Sequence, residues 1–272
     1  MMRRAAPALA AAFALVQGPA AAIEAGLDVP DRLASATGAV RGGGCSGMLV
    51  TPWWVLTAGH CGMVTAVTLA GDTRSVARNL FHPRFNAALP ASPEKARFDV
   101  QLLALSAPVF PVLPDRTVWE TYRRDLYRGD PRRLPDTAAD IFGYGGVRNQ
   151  KDGEDTFSGV LRYGEFRIES IEEVGGGGRI LNMDGRDRGE QFWQGDSGSA
   201  VLWPGRSYED LAPGNDYVIL GVGVQYFEIP LIDTETRAAL ATEFAPWFDA
   251  TLGPERTSLG APSLIVTALP LP

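Results

Sequence analysis

The sequence predicts an all-β protein, a sandwich or barrel built in two halves, with one helix near its C-terminus. Three observations carry this reading. Short β-branched or apolar segments bounded by Gly, Pro or Asp recur from Gly47 to Gln225, and a helical pattern follows them. Between the halves, Tyr122 to Pro135 (YRRDLYRGDPRRLP) is polar, arginine-rich and broken by proline, the composition of a connection.

The strand candidates, in order, are Gly47 to Val50, Trp53 to Thr57, Val64 to Ala70, Val100 to Leu105, Ile141 to Tyr144, Gly159 to Ile168, Ser199 to Trp203 and Tyr217 to Gln225. Asp233-Thr234-Glu235 has the chemistry of a helix start. The helix it would begin carries Leu240, Phe244, Trp247 and Phe248 toward a core and stops near Gly253-Pro254. No internal repeat interrupts this order.

The first 22 residues stand apart and read as a secretory signal peptide. Met1-Met2-Arg3-Arg4 is a positive head, Ala5 to Val16 an apolar stretch, and Ala20-Ala21-Ala22 fits a small-residue cleavage site. Arg3 and Arg4 are the only charges there, so their removal takes the net charge from −7 to −9. The expected location is secreted or periplasmic. No segment reaches 18 uninterrupted apolar residues, so no membrane span is expected.

Composition excludes several classes. With 272 residues, 45% hydrophobic and 21% charged, the chain has the balance of a globular protein, neither collagen-like nor disulfide-dense. Its negative charge, and the absence of any run of five basic residues, exclude the electrostatics of nucleic-acid binding. Export would place Cys45 and Cys61 where a disulfide can form, with two buried thiols as the alternative. These two cysteines, with His60 and His82 as the only histidines, make a poor zinc site. Asp152 to Asp155 and Asn182 to Asp187 are oxygen-rich but lack EF-hand spacing, so no metal is expected.

Three short clusters carry chemistry. WVLTAGHC (Trp54 to Cys61) puts His60 directly after an apolar strand and beside a cysteine, where an imidazole can be held rigidly enough to act as a base. FDVQLLAL (Phe98 to Leu105) puts the Asp99 carboxylate at the head of an apolar strand, where it needs a donor such as a histidine N–H. QGDSGS (Gln194 to Ser199) puts Ser197 in a tight glycine turn that a substrate carbonyl can approach.

TAGHC, an aspartate-headed D-[IV]-x-L-L-x-L strand and GDSG, in this order, resemble the chymotrypsin-like serine proteases of the trypsin fold, in a secreted, bacterial-type form. Cys45-Ser46-Gly47 and Ile141-Phe142-Gly143-Tyr144-Gly145 resemble two further strands of that family. The resemblance implies two six-stranded antiparallel β-barrels with a C-terminal helix and an active site between them. The first barrel would occupy about 36–121, the linker 122–135, and the second barrel with its helix 136–252. The protease domain would thus span 23–252, with a tail over 253–272. It implies a serine endopeptidase with His60, Asp99 and Ser197 as the triad and the Gly195 and Ser197 N–H groups as the oxyanion hole. No cofactor is implied. The partners implied are a polypeptide substrate and the protein inhibitors such enzymes meet, acting on a monomer. A non-catalytic protease-like binding domain and a serine esterase are the alternatives.

Two departures from the family pattern matter. Gln191 stands where a trypsin-type aspartate would pair a basic side chain, so the pocket formed by Gln191, Phe192 and Gly223 is not expected to select Arg or Lys. Trp193 replaces a cysteine common in relatives, while Asp184, Asp187 and Glu190 are acidic groups near enough in sequence to reach the site. There is also no IVGG-like start. Cleavage after Ala22 would expose Ile23-Glu24-Ala25-Gly26, and cuts after Arg32 or Arg41 are the other routes. Asp196 is expected either to pair with the Ile23 amine or to be held internally.

Overall fold

The computed structural model of the chain describes residues 23, 26–90, 92–113, 115–119, 122–148, 155–156, 159–185, 190–205, 217–229 and 233–258. The segments called signal peptide (1–22) and most of the tail lie outside these residues, as do Asp187 and most of the first oxygen-rich loop.

A two-residue strand β1 (Leu27–Asp28) and a short helix α1 (Asp31–Thr37) lead into β2 (Ala39–Gly42), β3 (Cys45–Thr51), β4 (Trp54–Thr57), β5 (Ala66–Leu69) and β6 (Asp72–Phe81). After a one-turn helix α2 (Pro93–Ala96), β7 (Gln101–Leu105) completes a closed six-stranded barrel of order β2-β3-β4-β7-β6-β5. Strands β3, β4 and β7 are mostly apolar and almost wholly buried because both of their faces are covered. The cross-strand neighbours Leu49, Val55 and Leu103 point into one core with Val40, Val67 and Leu69. The next row, Met48, Leu56 and Leu102, belongs to a second core shared with the C-terminal half.

That half contains β8 (Asp125–Leu126), β9 (Ala138–Gly143), the paired short strands β10 (Val147–Arg148) and β11 (Asp155–Thr156), β12 (Arg162–Val174), β13 (Gly178–Gly185), β14 (Ala200–Trp203), β15 (Val218–Ile229), β16 (Asp233–Leu240) and α3 (Ala241–Ser258). Six of these close a second antiparallel barrel in the order β9-β12-β13-β16-β15-β14, with β14 returning to β9. β1 is added at one edge against β12, and β8 lies parallel to β15. The architecture is that of two six-stranded barrels and a C-terminal helix.

Two readings of the sequence are corrected here. Residues 233–240 are strand β16 rather than the first turns of the helix, which begins at Ala241. β16 is hydrogen-bonded on both sides, to β13 and to β15, and those ladders outweigh a local helix-start signal. The helix also runs past Gly253-Pro254 to Ser258. Phe244, Phe248 and Leu252 are buried as the spacing requires.

The arginine-rich connection is a packed strap between the barrels. Tyr122 is buried in the first barrel's core and Tyr127 in the shared one. Arg124 N–H donates to Val50 O at 3.0 Å, and Tyr127 N–H donates to Ile219 O at 2.8 Å. The Arg124 side chain is buried as well, donating to the Tyr122 hydroxyl and to Thr37 O. Among the described residues no helix is long and apolar enough to cross a membrane.

Candidate active site

β4 ends at Thr57, and after Ala58 the chain makes a single 3-10 turn, Gly59–Cys61, that carries His60. Cys61 is disulfide-bonded to Cys45 at the start of β3, across a separation of 16 residues. The disulfide consumes both thiols, so the grouping of Cys45, Cys61 and His60 within 4.8 Å is a bonded sulfur pair beside an imidazole, with no thiolate left for a metal. Closing a loop of this size removes chain entropy worth roughly 3 kcal/mol. A Cys45→Ala/Cys61→Ala protein is expected to lose about 3 kcal/mol of unfolding free energy, read as a lower urea midpoint. An unchanged midpoint would show that the bond adds no stability.

Asp99 precedes β7 and is 1% exposed. Its two oxygens meet the same residue: Oδ2 lies 2.7 Å from His60 Nδ1, and Oδ1 accepts the His60 backbone N–H at 2.6 Å. Ring and backbone are thus held by one carboxylate, which places the Nδ1 proton on the Asp99 side and leaves Nε2 on the other edge of a partly exposed ring.

Ser197 follows Asp196 in a turn fixed from both barrels. Ser46, in β3, donates its N–H to Ser197 O at 2.9 Å and its hydroxyl to Gly195 O at 2.8 Å, and the same hydroxyl accepts the Tyr144 N–H at 2.8 Å. Thr57 Oγ1 donates to Ser46 O at 2.6 Å, linking this knot to the strand that delivers His60. Gly198 has φ +90°, and a Cβ there would lie 2.1 Å from Thr57 Oγ1, so the approach of the two barrels requires glycine. Among the described residues, neither the Gly195 nor the Ser197 N–H donates a hydrogen bond, which leaves both available to a bound oxygen. Sequence reasoning gave Ser46 no role. Its signals were a polar residue inside the apolar run CSGMLV and its place in the family-like Cys45-Ser46-Gly47.

Asp196 is fully buried. Its Oδ1 accepts Gly145 N–H at 2.9 Å, and Oδ2 accepts Trp193 N–H at 3.0 Å and Ile23 N–H at 3.2 Å. Burial raises its pKa from 3.8 to about 7, opposed by these three N–H donors and by the Arg162 charge. Ile23 is itself fully buried at φ +46°, a left-handed conformation unfavourable for a β-branched residue, and its carbonyl accepts Gly26 N–H at 2.7 Å.

The three residues expected to form the substrate pocket are mostly covered. Gln191 is half-buried, Phe192 is 1% exposed, and a Cβ on Gly223 would stand 2.6 Å from the Phe192 ring, so that ring fills the space glycine vacates. Glu190 is buried with its Cβ facing Gly164, and Asp184 sits in β13 opposite Arg167.

The second histidine, His82, is buried between barrel and helix. It stacks on Phe98 at 4.7 Å and meets the Trp247 edge at 5.1 Å. Burial first, then the charges of Arg84 and Arg97, lowers its pKa from 6.5 to about 4, so it is neutral at neutral pH. With the Arg97–Glu243 ion pair (2.6 Å), this stack docks α3 against the segment leading to Asp99.

Residues 28–214 match the family model for trypsin. Scolexin B of Heliothis virescens is 31% identical over 191 residues, which are 59% of this chain and 61% of that protein. The chain therefore spans about three fifths of the length of that curated relative. Among solved structures, neuropsin, a serine protease expressed in the limbic system of mouse brain, superposes with a TM-score of 0.61 at 19% identity, covering 84% of this chain and 98% of the other.

Proposed function

The chain belongs to the trypsin family, and from that premise we propose that it is a serine endopeptidase using Ser197 as nucleophile, His60 as general base and acid, and Asp99 to orient the imidazole. The observation that carries this reading is the double engagement of His60 by Asp99. It fixes the ring in the tautomer whose Nε2 accepts a proton. Ser197 Oγ attacks the substrate carbonyl as its proton passes to Nε2, and the oxyanion is met by the Gly195 and Ser197 N–H groups. The proton then moves to the leaving amine, and a water molecule hydrolyses the acyl-enzyme by the same route in reverse. Labelling of the purified protein by a fluorophosphonate, lost in Ser197→Ala and in His60→Ala, is the expected result. A folded protein that takes no label from the reagent under any N-terminal processing fits the binding-domain alternative instead. Cleavage of ester but not peptide libraries would make it an esterase.

The selectivity proposed is for uncharged residues before the scissile bond. Gln191 supplies no carboxylate, and the Phe192 ring against Gly223 leaves less room than an open pocket would.

The Ile23–Asp196 contact supports export-linked activation. In the uncut chain the Ile23 nitrogen is an amide, and Asp196 favours its neutral form below about pH 7. Because that folded pKa is raised above 3.8, Asp196 supports the uncut fold most below pH 4, and this support is lost as pH climbs toward 7. Cleavage after Ala22 turns the same nitrogen into an ammonium that holds Asp196 ionised beside the Ser197 turn. The expected outcome is a melting temperature that declines between pH 4 and 7 in the uncut chain more than in the chain beginning at Ile23. Deleting Ile23 from the processed form is expected to lower kcat/KM by about 10²- to 10³-fold, the effect of losing an ordered oxyanion donor. Unchanged activity would mean that Asp196 is held by internal groups alone.

A further inference from the structure

Gln101 is a fully buried amide that the proposed reaction leaves without a role. It opens β7 two residues beyond Asp99 and pairs across the ladder with Thr57 at the end of β4. Its Nε2 donates to Ala58 O at 2.9 Å and to Gly62 O at 3.1 Å. Those carbonyls belong to the residues immediately before and after the Gly59–Cys61 turn that carries His60.

Both neighbours of the amide nitrogen are carbonyl oxygens, so its orientation is settled and Oε1 is left with no partner among the described residues. The turn's own bonds are two, Cys61 N–H to Ala58 O, long at 3.3 Å, and Gly62 N–H to Gly59 O at 3.1 Å. Asp99 grips the turn by an N–H and the ring, while Gln101 grips it by a carbonyl at each end. The orphaned oxygen costs about 1–3 kcal/mol and offsets the bonds that Nε2 donates to the two carbonyls, so stability gives little net reason for glutamine over methionine here. The position is also the unspecified one in the D-[IV]-x-L-L-x-L pattern, so the motif does not dictate it.

We propose that Gln101 is a positioning residue that clamps both ends of the His60 turn and so holds the imidazole in line between Asp99 and Ser197. The inference rests on the reading of His60 and Asp99 as catalytic residues. A turn free to rock by a fraction of an ångström lengthens the Nδ1–Oδ2 contact and moves Nε2 off the nucleophile. That slows chemistry without altering the surface that binds substrate.

The test is Gln101→Met in the full, processed protein, read in two ways. The first is the His60 Nδ1 proton, followed by NMR with nitrogen-labelled histidine. The chain holds only two histidines, so His60→Ala assigns the signal and His82 serves as the internal control. The second is kcat and KM on a chromogenic substrate. The expected result is an upfield-shifted, broadened His60 Nδ1 proton with the His82 signals unmoved, kcat lower by roughly tenfold and KM within about twofold of wild type. Gln101→Asn, one methylene too short to span both carbonyls, should fall between, and it carries the test if the methionine variant does not fold. A sharp, unshifted proton and unchanged kcat in either folded variant would overturn the clamp. A wild-type protein inert to fluorophosphonate, whose Nδ1 proton nonetheless responds to Gln101→Met, would overturn the catalytic reading and leave the clamp standing.

Discussion

Replacing Ser197 by alanine is expected to lower kcat/KM roughly 10⁵- to 10⁶-fold and to abolish fluorophosphonate labelling while the protein stays folded. The size follows from chemistry. Without Oγ no acyl-enzyme forms, and hydrolysis falls back on water attacking a carbonyl held only by the Gly195 and Ser197 N–H groups. The fold should tolerate the change because everything that fixes this turn comes from backbone and from other side chains. Ser46 N–H still meets the residue 197 carbonyl, Gly198 N–H still donates to Gly223 O at 2.8 Å, and Asp196 keeps its donors. Intact mass after labelling, hydrolysis of a peptide library and the melting temperature together check it. A folded Ser197→Ala protein that retains hydrolysis would sink the assignment of the nucleophile.

Asp99→Asn is expected to cost about 10⁴-fold in kcat, the magnitude known for the corresponding change in one Ser-His-Asp triad, with little change in melting temperature. The geometry gives the reason. Asp99 receives two protons from His60, one from the ring and one from the backbone, and an amide offers one acceptor and one donor for these two places. If Oδ1 keeps the backbone N–H, the new N–H₂ faces Nδ1 and forces the proton to Nε2, where it blocks acceptance from Ser197. Asparagine matches aspartate in shape, so the buried site need not open. Hydrolysis within about tenfold of wild type would mean that Asp99 serves the fold of the turn and not the tautomer of the ring.

Several parts of this arrangement were legible before any fold was known. The apolar strands that build both barrels' shared core, β3, β4, β7, β9 and β14, announce themselves because both of their faces are buried. The three clusters around His60, Asp99 and Ser197 are local, each a strand end or glycine turn whose residues are contiguous. What escaped is equally specific. β6 (DTRSVARNLF) is largely exposed on one face and looks like a polar loop, and it is a strand only because β5 and β7 offer it ladders on both sides. β16 looks like a helix start until β13 and β15 claim its backbone. The strap from Tyr122 to Pro135 reads as a linker because its charges mask two buried tyrosines and an arginine that closes back on Thr37.

The sequence by itself determined the all-β class and marked the three clusters that hold His60, Asp99 and Ser197, because each strand and each cluster is a pattern within about eight residues, while it left the state of Cys45 and Cys61 open. Only the tertiary structure decided how they are held. Asp99 grips His60 through both oxygens, Ser46 ties the first barrel to the Ser197 turn 149 residues beyond it, Ile23 reaches Asp196 across 173 residues, and Gln101 braces a turn some 39 residues upstream. Such contacts leave no periodic trace in the chain, since a hydrogen bond formed between distant segments constrains one atom at each end and nothing in between.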